Sequence, residues 1–411
     1  MTSAQENNIR LYPWFQFATS IMAWLPVFFL YFNQFVSFSE VIQLGAIYYL
    51  SVCICEVPSG YFSDRAGRRV TLIAVGCSLA IGYLLFLAAT SFAGLATGQC
   101  FVALGMAMMS GTDTAFLYDS LLSAGRESQY ADHEARGQKY GFAASALSSL
   151  VGGVLGLVDL SLAYLVSLAG ALCAIVIAWQ FREPDVHAHQ ALAGDNLFKA
   201  IWQCLGQLGN GILAWLFAVM VLMYSLEHLV FEFYQPYIKL LEIHWIRGDS
   251  STLIAGVVIA VSMFGGTLGA AYSVRLQQKF GLKALLLGAF AIQLVILTGI
   301  SAMLSIFIIA LVMLRNFPMA MIHAPVVAAI IPRVDSNVRA TYLSIQSLAA
   351  RLAFSSWLLL LSFSIDGGSL LGWSELSLVL RESLVFGIAA ALVLSFIAPR
   401  GLDETGPKES V

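Results

Sequence analysis

Twelve apolar runs, each about as long as a bilayer is thick, follow one another along the chain with only short polar connections between them. A helix must span a hydrocarbon core of ~30 Å at ~1.5 Å per residue, so each crossing takes ~20 residues. The runs lie near 12–36, 40–61, 70–92, 97–122, 140–158 and 161–181, then near 211–238, 251–274, 283–302, 304–331, 340–364 and 382–399, here numbered spans 1 to 12. Backbone groups in lipid must be satisfied within their own segment, so the expected fold is an all-α membrane protein with twelve transmembrane helices. Of 411 residues, 59% are hydrophobic and 11% charged, which leaves almost nothing for a soluble domain and excludes a soluble enzyme or a disordered chain.

The long polar stretch, within residues 183–210, separates six runs from six, and its second half reads as an amphipathic surface helix. The expected organisation is an N-terminal six-helix bundle at 1–182, a cytoplasmic linker at 183–210 and a C-terminal bundle at 211–411. Basic residues accumulate in cytoplasmic connections. With both termini inside, 16 of the 21 Lys and Arg fall on the cytoplasmic side, which predicts a multi-pass protein of the inner (cytoplasmic) membrane. The N-terminal segment has no signal-peptide pattern, so the first run is expected to be an uncleaved span. A net charge of −3 gives no reason to expect nucleic acid as a partner. The six cysteines sit in apolar stretches or the linker helix and read as packing residues, and Cys53-x-Cys55 lacks metal or redox spacing. His187-x-His189 reads as solvated loop, so no metal or cofactor is expected.

Gly105-Met-Ala-Met-Met in span 4 and Pro318-Met-Ala-Met-Ile in span 10 stand 213 residues apart, close to the 210 that separate the Arg65 and Arg275 loops. The two offsets together imply duplicated six-helix halves. Transporters built in this way bind substrate near the midplane, where the halves meet.

Between spans 2 and 3 the chain reads Gly60-Tyr-Phe-Ser-Asp64-Arg65-Ala-Gly67-Arg68-Arg69. A merely basic topogenic loop explains the arginines but not the two glycines and Asp64 at fixed spacing. Gly60 is expected to permit close helix contact, Gly67 a tight turn, and Asp64 to cap and charge-pair at a helix end. The motif closely resembles the loop signature G-x-x-x-D-R-x-G-R-R of the major facilitator superfamily, and the resemblance extends over nearly the whole chain. It implies two pseudo-symmetric bundles, a monomeric secondary transporter, and a latch of Asp64, Arg68 and Asp119 that holds one gate shut. The second copy of the loop, ending at Val274-Arg275, has lost the acidic position. The drug/proton antiporter subset carries an arginine early in span 4 and Gly-Pro-x-x-Gly-Gly in span 5. Here Gln99 and Gly152-Gly153-Val-Leu-Gly156 stand instead, which departs from that subset.

A charge within the hydrocarbon region costs ~2.5 kcal/mol or more, so each one is a functional candidate. Counting along the helices places Arg315 of span 10 and Arg351 of span 11 roughly 16 Å deep, near the midplane. Guanidinium groups stay protonated and demand a negative partner, either a carboxylate of the protein or an anionic ligand. Asp113, Glu56 and Glu227 bracket them in depth. Burial raises a carboxyl pKa, which makes these three the proton-coupling candidates, with static ion pairing as the competing role. The resemblance gives Asp113, Glu227 and Arg315 access to a central cavity. Substrate-binding candidates are Arg315, Arg351, Asn316, Tyr224 and Phe231, the last two among several aromatics suited to stacking, such as Trp14, Phe15, Tyr31, Phe32 and Tyr234. His228, Glu232 and Gln235 form a polar stripe expected at a solvated pore mouth, leading to Pro236, and Pro318 is expected to kink span 10. His323 is either a proton relay or a packed side chain.

No nucleotide-binding loop, metal cluster or serine nucleophile motif occurs. The expected function is therefore not enzymatic. It is proton-coupled alternating-access transport of a small organic solute, by export through antiport of an anionic, zwitterionic or amphiphilic metabolite, siderophore or drug. The alternatives are uptake by proton symport and, more remotely, a membrane enzyme or receptor on a transporter scaffold.

Overall fold

The computed structural model describes residues 3–184, 202, 206–244, 250–334, 339–365, 372–399 and 401–402. The amphipathic segment, Cys204 and the His187-x-His189 pair of the linker lie outside the described residues. The described secondary structure is helical, and ten helices are long and apolar enough to cross a membrane. The other two spans differ for physical reasons. Span 1 is broken into Ser3–Thr19 and Phe28–Phe32 by a run of turns. Span 5, Tyr130–Leu155, begins with a polar stretch that extends the helix ten residues ahead of its apolar run.

Most remaining spans are single helices: Phe38–Ala66, Arg68–Ala88 and Leu160–Gln180 for spans 2, 3 and 6. Spans 7, 8 and 9 are Gly211–His244, Ser251–Phe280 and Leu282–Ala302, and spans 11 and 12 are Arg339–Phe363 and Trp373–Phe396. Span 7 runs on through Pro236 instead of ending there.

Spans 4 and 10 are each broken in two. Span 4 comprises Phe92–Met109 and Thr112–Ser123, parted at Gly111, whose φ of +79° suits glycine and interrupts the helix. Span 10 comprises Ile306–Val312 and Asn316–Ile330. Its break lies one turn ahead of Pro318, not at it. Pro318 has no N–H to give the Leu314 carbonyl, and that oxygen accepts from Phe317 N at 2.9 Å instead. Leu314 N and Arg315 N likewise bond three residues back, so the chain tightens where the proline removes its donor.

The chain forms two compact units, Met1–Ala193 with Gly248–Ala260, and Gly194–Arg247 with Val261–Val411. In the first, span 1 packs on spans 5 and 6, and span 3 on spans 4 and 6. In the second, span 7 packs on spans 11 and 12, and span 9 on spans 10 and 12. The same partner scheme, advanced by six, gives two pseudo-symmetric bundles. The first unit is centred on Tyr12, Phe15, Leu72, Phe116 and Phe181, all 1% exposed or less. Span 5 approaches the break in span 1 because Gly152 has no side chain there; a Cβ would overlap the Ala23 carbonyl.

Candidate functional site

Removing a guanidinium from water is costly, so the surroundings of Arg315 indicate what the second unit is built to hold. Arg315 is 4% exposed and stands at the start of the second half of span 10. Its Nη1 lies 3.9 Å from Glu227 Oε1, close enough for charge pairing but beyond hydrogen-bonding distance. The guanidinium carbon sits 4.9 Å from the Phe231 ring centroid, a cation–π contact. Glu227 Oε2 is also 3.5 Å from His228 Nδ1, and the His228 ring stacks on Tyr224 at 3.7 Å. Phe354 of span 11 meets both rings edge-on.

Tyr224, Glu227, His228 and Phe231 follow the helical i, i+3, i+4, i+7 pattern, so span 7 aims one face at Arg315. Of the aromatics singled out for stacking, Tyr224, Phe231 and Tyr234 belong to this cluster, Tyr234 being buried and stacked on Phe231 at 6.0 Å. Phe15 and Phe32 are fully buried in the first unit. Asn316 adjoins Arg315, and its buried Oδ1 has no hydrogen-bond donor among the described residues. Arg351 is half-buried on span 11, within electrostatic reach of His228. The stripe below Glu227 is not a solvated mouth: Glu232 is 8% and Gln235 1% exposed. Gln235 donates to Tyr234 Oη at 3.1 Å, and the helix continues past Pro236. His323 is exposed.

In the first unit, Asp113 occupies the opening turn of the second half of span 4. The free amides of that turn favour a carboxylate. Thr114 N donates to Asp113 Oδ1 at 2.8 Å and Gln16 Nε2 to Oδ2 at 2.7 Å. Gln16 also donates to Tyr12 Oη, which donates to Glu134 of span 5. Tyr12, Gln16 and Glu134 were not singled out in the sequence, since partners about a hundred residues apart leave no local pattern. Glu56 lies half-buried on span 2.

At the loop between spans 2 and 3, Arg68 Nε lies 3.8 Å from Asp119 Oδ2 and its Nη1 donates to Ser63 Oγ at 2.8 Å. Both charged side chains are about a quarter exposed, so the pair itself contributes only ~0–1 kcal/mol. The side chain of Asp64 lies outside the described residues. Arg65 rests on the Tyr61 ring, and Arg69 Nη2 donates to the Trp179 carbonyl. Gly67 has φ +94° and terminates span 2, as a turn glycine should. It has a second role, because a Cβ there would lie 2.9 Å from the Glu183 carboxylate. Glu183 accepts from the backbone N–H of Arg68 and Arg69 at 2.7 and 2.9 Å and so caps span 3. Gly60 does not serve close packing in this conformation, since a Cβ on it would meet no atom within 4 Å.

The model of the Major Facilitator Superfamily matches residues 14–358. The chain belongs to this superfamily. Among solved structures, this Major Facilitator Superfamily protein is similar to the nucleoside transporter NupG, at 10% identity and a TM-score of 0.76 over 97% of this chain and 100% of that one. It is also similar to the POT family transporter PepTSo, at 14% identity and a TM-score of 0.73 over 99% of each chain. The D-xylose-proton symporter aligns at 15% identity and a TM-score of 0.68, over 96% of this chain and 98% of that one. At such identities the likeness is one of fold. No curated protein matches the sequence. As a superfamily member the chain is a multi-pass membrane transporter of a small molecule.

Proposed function

We propose that this transporter is proton-coupled and moves a small organic solute bearing an anionic group, by alternating access of halves at 1–182 and 211–411 joined by the 183–210 linker. The reading rests on one observation. Arg315, a permanent cation at a helix break, is 4% exposed, with Glu227 at 3.9 Å and the Phe231 ring centroid at 4.9 Å. A carboxylate or similar group of the solute matches the planar guanidinium fork in geometry and in charge. Phe231, Tyr224, Asn316 and Arg351 supply stacking and polar contacts around it.

Asp113 is proposed as the proton carrier, with Glu56 and Glu227 as the ranked alternatives. Export by antiport is the favoured direction, from a monomer in the cytoplasmic membrane with both termini and the Arg65–Arg69 loop inside. Uptake by symport is the second reading, and the likeness to a D-xylose-proton symporter favours it. Reconstituted protein under imposed pH gradients of either sign tests both. Antiport drives solute against the proton flux and symport drives it with the flux. Solute movement indifferent to the gradient would remove proton coupling altogether.

A further inference from the structure

Four side chains from spans 1, 4 and 5 form a line whose hydrogen bonds have definite directions. Gln16 Nε2 gives one hydrogen to Asp113 Oδ2 at 2.7 Å and the other to Tyr12 Oη at 2.8 Å, and Tyr12 gives its own to Glu134 Oε2 at 2.9 Å. Each end is held from a second side. Asp113 Oδ1 accepts from Thr114 N at 2.8 Å, and Glu134 Oε1 accepts from Gln138 Nε2 at 3.2 Å. The middle is enclosed, with Tyr12 1% and Gln16 8% exposed. Tyr12 fits only because residue 137 is glycine, where a Cβ would come within 2.5 Å of Tyr12 Cε1. Tyr130 of span 5 is the further titratable group that Asp113 and Glu134 both influence.

The donor inventory makes this line sensitive to a proton. A primary amide donates only from nitrogen and accepts only on oxygen, and a neutral tyrosine has one hydrogen to give. As drawn, both oxygens of Asp113 and both of Glu134 accept, an arrangement that a carboxylate at each end satisfies fully. A proton on Asp113 Oδ2 that points at Gln16 Nε2 sets donor against donor. The conflict ends when the Gln16 amide turns over and Oε1 receives the Asp113 hydrogen. Nε2 then leaves Tyr12, the Tyr12 hydrogen swings onto Oε1, and Glu134 loses its donor. No proton passes through the amide; only the direction of hydrogen bonding reverses.

We infer that Tyr12 and Gln16 form a hydrogen-bond switch through which protonation of Asp113 releases Glu134, at the polar start of span 5. The linkage is reciprocal, so a group that draws the Tyr12 hydrogen away from Glu134 also favours a proton on Asp113. This deepens the reading of Asp113 as proton carrier and rests on it for its role in transport, though the switch itself does not require flux.

Infrared pH-difference spectra of the full-length protein in lipid vesicles, with ring-deuterated tyrosine, test the switch. Asp113→Asn assigns the Asp113 carboxyl band by its loss, and Tyr12→Phe, which keeps the ring on Gly137, assigns the Tyr12 band. The two bands are expected to titrate with one midpoint in the unaltered protein, and the Tyr12 band to vanish in Asp113→Asn and in Gln16→Met. Separate midpoints, or a Tyr12 band that survives in Asp113→Asn, would overturn the switch. The midpoints are read in the unaltered protein once the bands are assigned, and Gln16→Met, which alters neither titrating group, tests the link should Asp113→Asn misfold. Solute-dependent proton flux in the same variants reports separately on whether Asp113 couples transport, so the two readings fail by different signals.

Discussion

Glu183, at the exit of span 6, sets its carboxylate on the backbone amides of Arg68 and Arg69 at 2.7 and 2.9 Å. The start of the linker thereby caps span 3, and Gly67 leaves the room for it. An anion at a helix N-terminus contributes ~0.3–1 kcal/mol when exposed, as Glu183 is. Glu183→Gln is expected to lower stability by about that much in thermal unfolding of the detergent-solubilised protein. Gly67→Ala combines the same loss with a strained positive φ, itself ~1–3 kcal/mol, and should cost clearly more. Equal effects of the two substitutions would contradict the double role of Gly67.

The loop charges are expected to matter for rate more than for folding. Arg68→Ala removes one hydrogen bond to Ser63 and a partly exposed pair with Asp119 and leaves the apolar spans unaltered, so membrane insertion should be largely kept. Transport by Arg68→Ala and by Asp64→Asn should nevertheless be abolished or severely slowed, because the proposed latch no longer distinguishes the states. Flux assays on reconstituted protein decide this, and normal rates in both variants would remove the latch from the account.

Asp113→Asn is expected to uncouple solute movement from the pH gradient while leaving the fold intact, since the amide keeps the acceptor facing Thr114 N. Solute-dependent proton flux measures it. Full coupling in Asp113→Asn, with loss in Glu56→Gln or Glu227→Gln, would move the proton site to the residue that failed.

His133, ahead of the apolar part of span 5, sits with its Nε2 3.4 Å from Arg126 Nη2. Desolvation first, then the charges of Arg126 and Arg136, hold its imidazole below the usual histidine value of 6.5. The unfolded chain therefore takes up this proton at higher pH than the folded one. The resulting stability is present above 6.5 and is lost as pH falls through that value towards the folded one. His133→Gln should accordingly flatten the fall in unfolding temperature between about pH 7.5 and about pH 5.5. An unchanged slope would show that other groups set it.

Much of the fold was legible because the bilayer imposes its thickness on the sequence: the apolar runs near 70–92 and 283–302 foreshadow Arg68–Ala88 and Leu282–Ala302 closely. Helix ends were less legible. The polar Tyr130–Lys139 stretch gives no apolar signal yet continues the span 5 helix, and Pro236 does not end span 7. Arg315 and Asp113 stood out because a charge in an apolar run is costly wherever it points. Their partners divide by distance along the chain. Phe231 and Tyr224 share a helical face with Glu227, whereas Gln16, Tyr12 and Glu134 meet Asp113 only through packing of three separate spans.

The central claim is that Arg315 holds the anionic group of the solute, and ligand-induced thermal stabilisation tests it most directly, because a ligand that binds the folded state raises its apparent stability. Carboxylate-bearing solutes should raise the unfolding temperature of the unaltered protein. Arg315→Lys keeps the charge but not the fork, so it should lose about tenfold or more in affinity, or ~1.4 kcal/mol, while folding nearly normally. Arg315→Gln should lose the ligand response and also ~3–5 kcal/mol of stability, because Glu227 is left without its countercharge. A permanently cationic compound that stabilises the unaltered protein and Arg315→Gln alike, with no response to any carboxylate, would contradict the claim.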